Sequence, residues 1–212
     1  MPQQITFGPS QEEDIALAPD GRSLVTSVGT RRSAIWIHDG AGERAISSEG
    51  YAVAPRFSRD GTRVFYLFAR DLVLGAGIGW GAFSGELHSV DLGTGKTDSV
   101  LPGVSVTDYD ISHDEKEVAF TTKESSGESQ IWLASLDRRK PPRQIARAGD
   151  QVSFGADGDL IFRSLEEKTN WLVRIKKDGR ERERITTTPL LEKFAVSPDG
   201  ERVIVLWRGC HR

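Results

Sequence analysis

Apolar and polar residues alternate along most of this chain with a period of two, in short runs closed by polar turns. The segment from Phe194, "FAVSPDGERVIVL", shows the pattern plainly: apolar alternation up to Val196, a Ser-Pro-Asp-Gly reversal, then a second apolar run. This predicts two antiparallel strands joined by a tight turn. The phrase recurs as "IALAPDGRSLVTSV" from Ile15, "PRFSRDGTRVFYLF" from Pro55, "YDISHDEKEVAFTT" from Tyr109 and "VSFGADGDLIFRS" from Val152. Each of the first four copies is followed by a third apolar segment, "AIWIHD", "ELHSVDL", "QIWLASL" and "WLVRIK", and then by a short fourth one near Ile46, Val100, Ile145 and Ile185. Apolar spacing of 3.6 is not sustained anywhere, and β-branched and aromatic residues crowd the alternating runs, so the expectation is all-β.

The turn aspartates Asp20, Asp60, Asp114, Asp157 and Asp199 are 40, 54, 43 and 42 residues apart. That is the period of four-stranded propeller blades, with one long interval to explain. The pattern predicts a β-propeller of four-stranded antiparallel blades: four complete blades over Asp14–Ser47, Val53–Leu101, Thr107–Ala146 and Gln151–Thr187, plus partial blades at both termini. Gln4-Ile5-Thr6 matches Arg184-Ile185-Thr186, so the chain reads as opening on an outer strand and closing on two inner ones. The expectation is one domain over residues 1–212, a fragment of a larger propeller of six or more blades or of a multidomain protein; a strained five-unit closure is the alternative.

The Ser-Pro-Asp-Gly hairpins, each with an Ile-Trp or similar third strand, resemble the repeat of the TolB-like, WD-like propeller family, and the match runs through nearly the whole chain. Glu115 stands where the third copy should have its turn glycine, which leaves that turn's geometry open. The resemblance implies a scaffold in one of two contexts. One is a sensory or interaction propeller of a bacterial regulator such as a Ser/Thr kinase or a winged-helix protein. The other is the gating propeller of a prolyl-oligopeptidase-like serine peptidase. The segment "QITFGPSQEEDIALAPDGRSLVTSVG" looks more like the first.

Charge narrows the partners. In 212 residues, 28 Lys and Arg face 31 Asp and Glu, for a net charge of −3, which gives no electrostatic footprint for nucleic acid. Local basic runs at Arg138–Arg147 and Arg174–Arg184 read as solvated faces, with an anionic-partner patch as the sharper alternative. Cys210 is the only cysteine, which excludes an internal disulfide and a multi-cysteine metal site. The start lacks a signal-peptide pattern and no apolar run is long enough to span a bilayer, so no membrane segment is expected. Localisation follows the context: periplasmic beside a membrane-spanning regulator, cytoplasmic otherwise.

Candidate chemistry is sparse. Asp before Gly is ordinary turn chemistry, which makes the turn aspartates structural before they are metal ligands. Gly77 to Ala82 imitates a dinucleotide fingerprint without the helix that motif needs, and Gly93 to Thr97 imitates a phosphate loop but has Val90 in place of the required earlier glycine. His38, His88, His113 and His211 have no zinc spacing, and no nucleophile elbow or kinase motif occurs. Trp36 and Trp132, at matching third-strand positions, are expected to pack between blades. No cofactor, metal or catalytic residue is predicted; the chain is expected not to be an enzyme.

The long interval holds "ARDLVLGAGIGWGAFSG" in the second blade's loop between its second and third strands. Its glycines surround Trp80 and Phe83, a composition suited to a contact loop for a protein or peptide partner. Arg31 and Arg32 of the preceding blade would flank them, and Glu12 and Glu13 are placed in a loop on the same face. The alternative is that both aromatics fold back and only stabilise the loop.

Overall fold

The computed structural model describes residues 11–17, 24–29, 33–40, 42–47, 50–70, 83–166, 168–190 and 193–205, with strand pairing alone for the first two segments. Every regular element described is a β-strand. The second unit is one antiparallel sheet of β5 (Tyr51–Phe57), β6 (Arg63–Ala69), β7 (Glu86–Asp91) and β8 (Thr97–Ser99), in that order. The third is built alike from β9 (Asp108–Ile111), β10 (Glu117–Lys123), β11 (Ser129–Ser135) and β12 (Arg143–Arg147), and the fourth from β13 (Gly149–Phe154), β14 (Leu160–Glu166), β15 (Thr169–Ile175) and β16 (Glu183–Arg184). The fifth hairpin is β17 (Phe194–Val196) with β18 (Val203–Val205).

The first unit departs from the expected single sheet. β1 (Gln11–Leu17) pairs with β2 (Leu24–Gly29), and β3 (Trp36–Asp39) with β4 (Gly42–Ala45), but among the described residues no ladder joins β2 to β3. β3 has 4 residues where its counterparts β7, β11 and β15 have 6 or 7, so it offers few partners to a central ladder. The unit is still tied to its neighbour, because the Ala52 N–H donates to the Ser33 carbonyl at 2.9 Å.

The repeated turn sets a repeated register in three hairpins, and the fourth closes with one residue fewer. Phe57 pairs with Val64, Ile111 with Val118, Phe154 with Leu160 and Val196 with Val203. Ser58 Oγ donates to Asp60 at 2.7 Å and accepts from the Arg63 N–H at 2.8 Å, and Ser112 does the same with Asp114 and the Glu117 N–H at 2.8 and 2.9 Å. Ser197 repeats it with Asp199 and the Arg202 N–H. Gly155 replaces the serine in the fourth copy, and the Asp159 side chain takes the space a Cβ there would need. The turn glycines Gly61, Gly158 and Gly200 have φ of 71°, 71° and 76°, and Glu115 adopts 52°. The third turn therefore keeps the shared geometry despite a side chain that disfavours it.

Alternation turns one side of each sheet to the preceding sheet and the other to the following one. Val64 and Tyr66 pack toward the first unit, with Ile35, while Phe65, Leu67 and Leu87 meet Tyr109, Val118 and Phe120 of the third sheet. Ala119, Ile131 and Leu133 meet Val152, Leu160 and Phe162, and Ile161 and Leu172 meet the side chains of the fifth hairpin. The core is thus a series of seams between sheets rather than one central mass.

Candidate functional site

The first strands β9 and β13 of the third and fourth sheets lie side by side, each at the free edge of its sheet, where backbone N–H groups have no further strand to pair with. Between β9 and β13 this need is met by two aspartates one pleat apart. Asp108 Oδ2 accepts from the Val152 N–H at 3.1 Å, and Asp110 Oδ2 accepts from the Phe154 N–H at 2.9 Å. Each also accepts from the next N–H of its own strand, that of Tyr109 or of Ile111. Two carboxylates therefore satisfy four backbone donors, two of them across the seam.

Arg56 of β5 adds the second sheet to this group. Its guanidinium pairs with Asp110 at 3.2 Å and lies 5.5 Å from the Tyr109 ring centre, while the Tyr109 hydroxyl donates to the Ala54 carbonyl at 2.7 Å. Burial holds the Asp108 carboxyl at about 6, well above its usual 3.8, although Arg56 and the N–H donors pull it down. Burial likewise raises Asp110 and Tyr109. A buried acid pair with raised pKa is a form catalysis uses, but here both acids are engaged by backbone donors and a cation. Sequence reasoning overlooked this group: the visible trace is Asp-Tyr-Asp at 108–110, whose partners stand 44 residues further along.

On the turn face an open depression of about 480 Å³ is lined by Phe57, Ile111 and Pro198, with Arg59, His113, Glu115 and Asp199 around them. Phe57 is 64% exposed. Glu115 bonds the Arg59 N–H and pairs with Arg63 at 3.2 Å. The carboxyls of Asp60, Asp114 and Asp199 are held below their usual range chiefly by the serine two residues earlier, Asp60 at about 2, so these turn acids are bonded within their own turns, as expected.

Of the residues singled out for contact, Phe83 is half-buried against the seam between the second and third sheets. This is the packing alternative for Phe83 alone; residues 71–82 of that loop lie outside the described residues. Trp80, Arg31 and Arg32 lie outside the described residues. Glu12 and Glu13 fall within strand β1, not in a loop, beside a register shift between Glu12 and Ile15; the strand starts with four consecutive polar residues, Gln11 to Asp14, which no apolar alternation marks.

Trp132 packs as expected, stacked on Phe120 with its indole N–H on Thr122 at 3.1 Å, but Trp36 is 63% exposed because it points away from the second sheet. The second basic run is largely engaged: Arg174 pairs with Asp159 and Glu183, Arg182 and Arg184 with Glu166, and Lys177 with Glu117, while in the first run Arg139 pairs with Asp137. Among the described residues no three or more His, Cys, Asp or Glu side chains are grouped to hold a metal ion, and no helix is long and apolar enough to cross a membrane.

Blades of up to four antiparallel strands, packed face to face through seams and touching through their first strands, define a β-propeller. Comparison with known structures specifies the type: the chain has a TolB-like propeller fold. It is similar to TolB from Acinetobacter baumannii over 92% of its length, with a TM-score of 0.61 and 16% identity, and spans 46% of that protein. It is similar to a putative TolB from Agrobacterium tumefaciens over 94% of its length, with a TM-score of 0.58 and 15% identity, spanning 82% of that chain. Dipeptidyl peptidase 4 from Porphyromonas gingivalis matches 84% of the chain at a TM-score of 0.53 and 14% identity, with 33% of the peptidase covered. No family model and no curated protein sequence matches the chain.

Proposed function

We propose that this chain is a non-catalytic interaction module, a propeller that presents loop and turn surfaces to a protein or peptide partner within a larger bacterial protein of regulatory type. The observation that carries the reading is the engagement of Asp108 and Asp110. The acid pair best placed for chemistry accepts from the N–H groups of two strands and pairs with Arg56, which makes it a fastening between sheets. The open depression around Phe57, rimmed by charges of both signs, suits a polypeptide better than an enclosed small molecule.

A screen against peptide and glycoside substrates tests the proposal. Uniform inactivity, unchanged in Asp108→Asn and Asp110→Asn, is the expected result; turnover lost in either variant overturns it. The second reading, the gating propeller of a serine peptidase, draws on the likeness to the Porphyromonas peptidase. Its discriminating observation is the neighbouring coding sequence: a hydrolase domain there supports gating, whereas a kinase or winged-helix domain supports the regulatory module.

A further inference from the structure

The β11–β12 and β15–β16 turns are neighbours on the outer rim of the third and fourth sheets. Residues 137–143 carry four cations against one acid, and residues 176–180 three against one, in a chain whose net charge is −3. Two arginines tie these turns to the adjoining sheets. The Arg138 guanidinium donates to the Ser99 carbonyl of β8, and the Arg143 guanidinium donates to the Lys177 carbonyl in the turn of the fourth sheet. That turn is closed by the Lys176 N–H on the Arg180 carbonyl at 3.0 Å, and a Cβ at Gly179 would lie 3.6 Å from the Ile145 carbonyl of β12, so the turn rests against the third sheet. Residues 137–143, Lys176 and Arg180 are all exposed, which makes the two turns one basic belt.

The acids of the belt are already engaged. Asp137 pairs with Arg139 at 3.2 Å, Asp178 accepts from the Arg180 N–H at 2.9 Å, and Lys177 reaches back to Glu117. Among the described residues Arg138, Lys140, Arg143, Lys176 and Arg180 form no ion pair. A guanidinium offers several N–H donors and a carbonyl takes one, so Arg138 and Arg143 are held in place with donors to spare. Pro141 and Pro142 fix the backbone between them, which lowers the cost of ordering on binding. We propose that this belt binds an acidic segment of a partner protein, whose carboxylates take the spare donors of Arg138 and Arg143 beside Lys140, Lys176 and Arg180. Such a partner presupposes the interaction module proposed for the chain and gives its ligand a chemistry. Neither turn has an aromatic residue on which a base could stack, and the large exposed hydrophobics among the described residues, Trp36, Phe57, Leu165 and Ile204, lie elsewhere, so nucleic acid and a lipid surface fit the belt less well.

The test is fluorescence anisotropy of labelled decaglutamate with the full chain at about 20 and 150 mM salt, a range over which surface ion pairs weaken by screening. Decaglutamate should bind, and bind more weakly at the higher salt. Lys140→Glu and Arg143→Glu should each weaken binding at least about fivefold. Lys123→Glu makes the same charge change on an exposed lysine that pairs with Ser129, at the end of the sheet away from the β11–β12 turn, and should stay within about twofold of wild type. Lys140 makes no hydrogen bond among the described residues, so its variant carries the readout should Arg143→Glu lower the melting temperature. No binding of decaglutamate, no loss in Lys140→Glu, an equal loss in Lys123→Glu, or tighter binding of decathymidylate or of phosphatidylserine vesicles overturns the proposal. Those results leave the interaction module standing, which falls instead to turnover in the substrate screen.

Discussion

Glu115 shows how a single residue can break a local rule and keep the local structure. A side chain at φ of 52° is disfavoured, yet the turn closes as in the glycine copies, with the Glu115 N–H donating to the Ser112 carbonyl at 2.8 Å. The carboxylate in return reaches Arg59 and Arg63 of the neighbouring sheet. Glu115→Ala keeps the strain and loses the reach, whereas Glu115→Gly loses both. Chemical denaturation should therefore find the glycine variant more stable than the alanine one by about 1 kcal/mol; equal stabilities would mean the backbone carries no strain there. Phe83 offers a second residue-scale check. Half-buried against a seam, it should cost about 1–2 kcal/mol when cut to alanine, visible as a lower denaturation midpoint. A midpoint equal to wild type would return Phe83 to the role of a free contact residue.

Among elements, the hairpins were legible in the sequence and the links between them were not. Ser58, Asp60 and Arg63 lie within one turn of each other, so their bonding follows from local chemistry and the register follows from the turn. Asp108 and Asp110 serve N–H groups on another sheet, a pairing that no periodicity encodes, and the split of the first unit into two hairpins depends on how short β3 is. The exposure of Trp36 is of the same kind, since the repeat predicts a packing position but not whether a neighbour fills it.

The β9–β13 link makes two predictions at this scale. Asp110→Ala leaves the Phe154 N–H and Arg56 without their partner and should destabilise the chain by about 2 kcal/mol; a change within error would show that water replaces the carboxylate. Asp108, at about 6 when folded against 3.8 ordinarily, binds a proton more readily in the folded chain. Its contribution is thus fully present below about pH 4 and is lost as pH rises through 6. From pH 7.5 to pH 5 the wild-type chain should gain about 1 kcal/mol relative to Asp108→Asn. Parallel pH profiles for the two proteins would remove Asp108 from the titration.

In the whole molecule, stability is distributed over seams, each joining two sheets, so the chain behaves as a series of neighbours in contact rather than as a body around one core. The same economy shapes the functional reading. Turn acids are bonded within their turns, Arg174, Arg182 and Arg184 pair with acids of their own sheet and Lys177 with Glu117 of the preceding one, and the inner acids fasten one strand edge to the next, an arrangement in keeping with the interaction module proposed above. Residue-resolved hydrogen exchange at Val152 and Phe154 tests this most directly. These amides sit on a strand edge and should be protected in the wild-type chain, then exchange at least about tenfold faster in Asp108→Ala and Asp110→Ala respectively, while Ile161 and Phe162 on the central strand stay protected, as local opening requires. Val152 and Phe154 amides that exchange freely in the wild-type chain would contradict the account, because the aspartates would then be free of the backbone and available for chemistry.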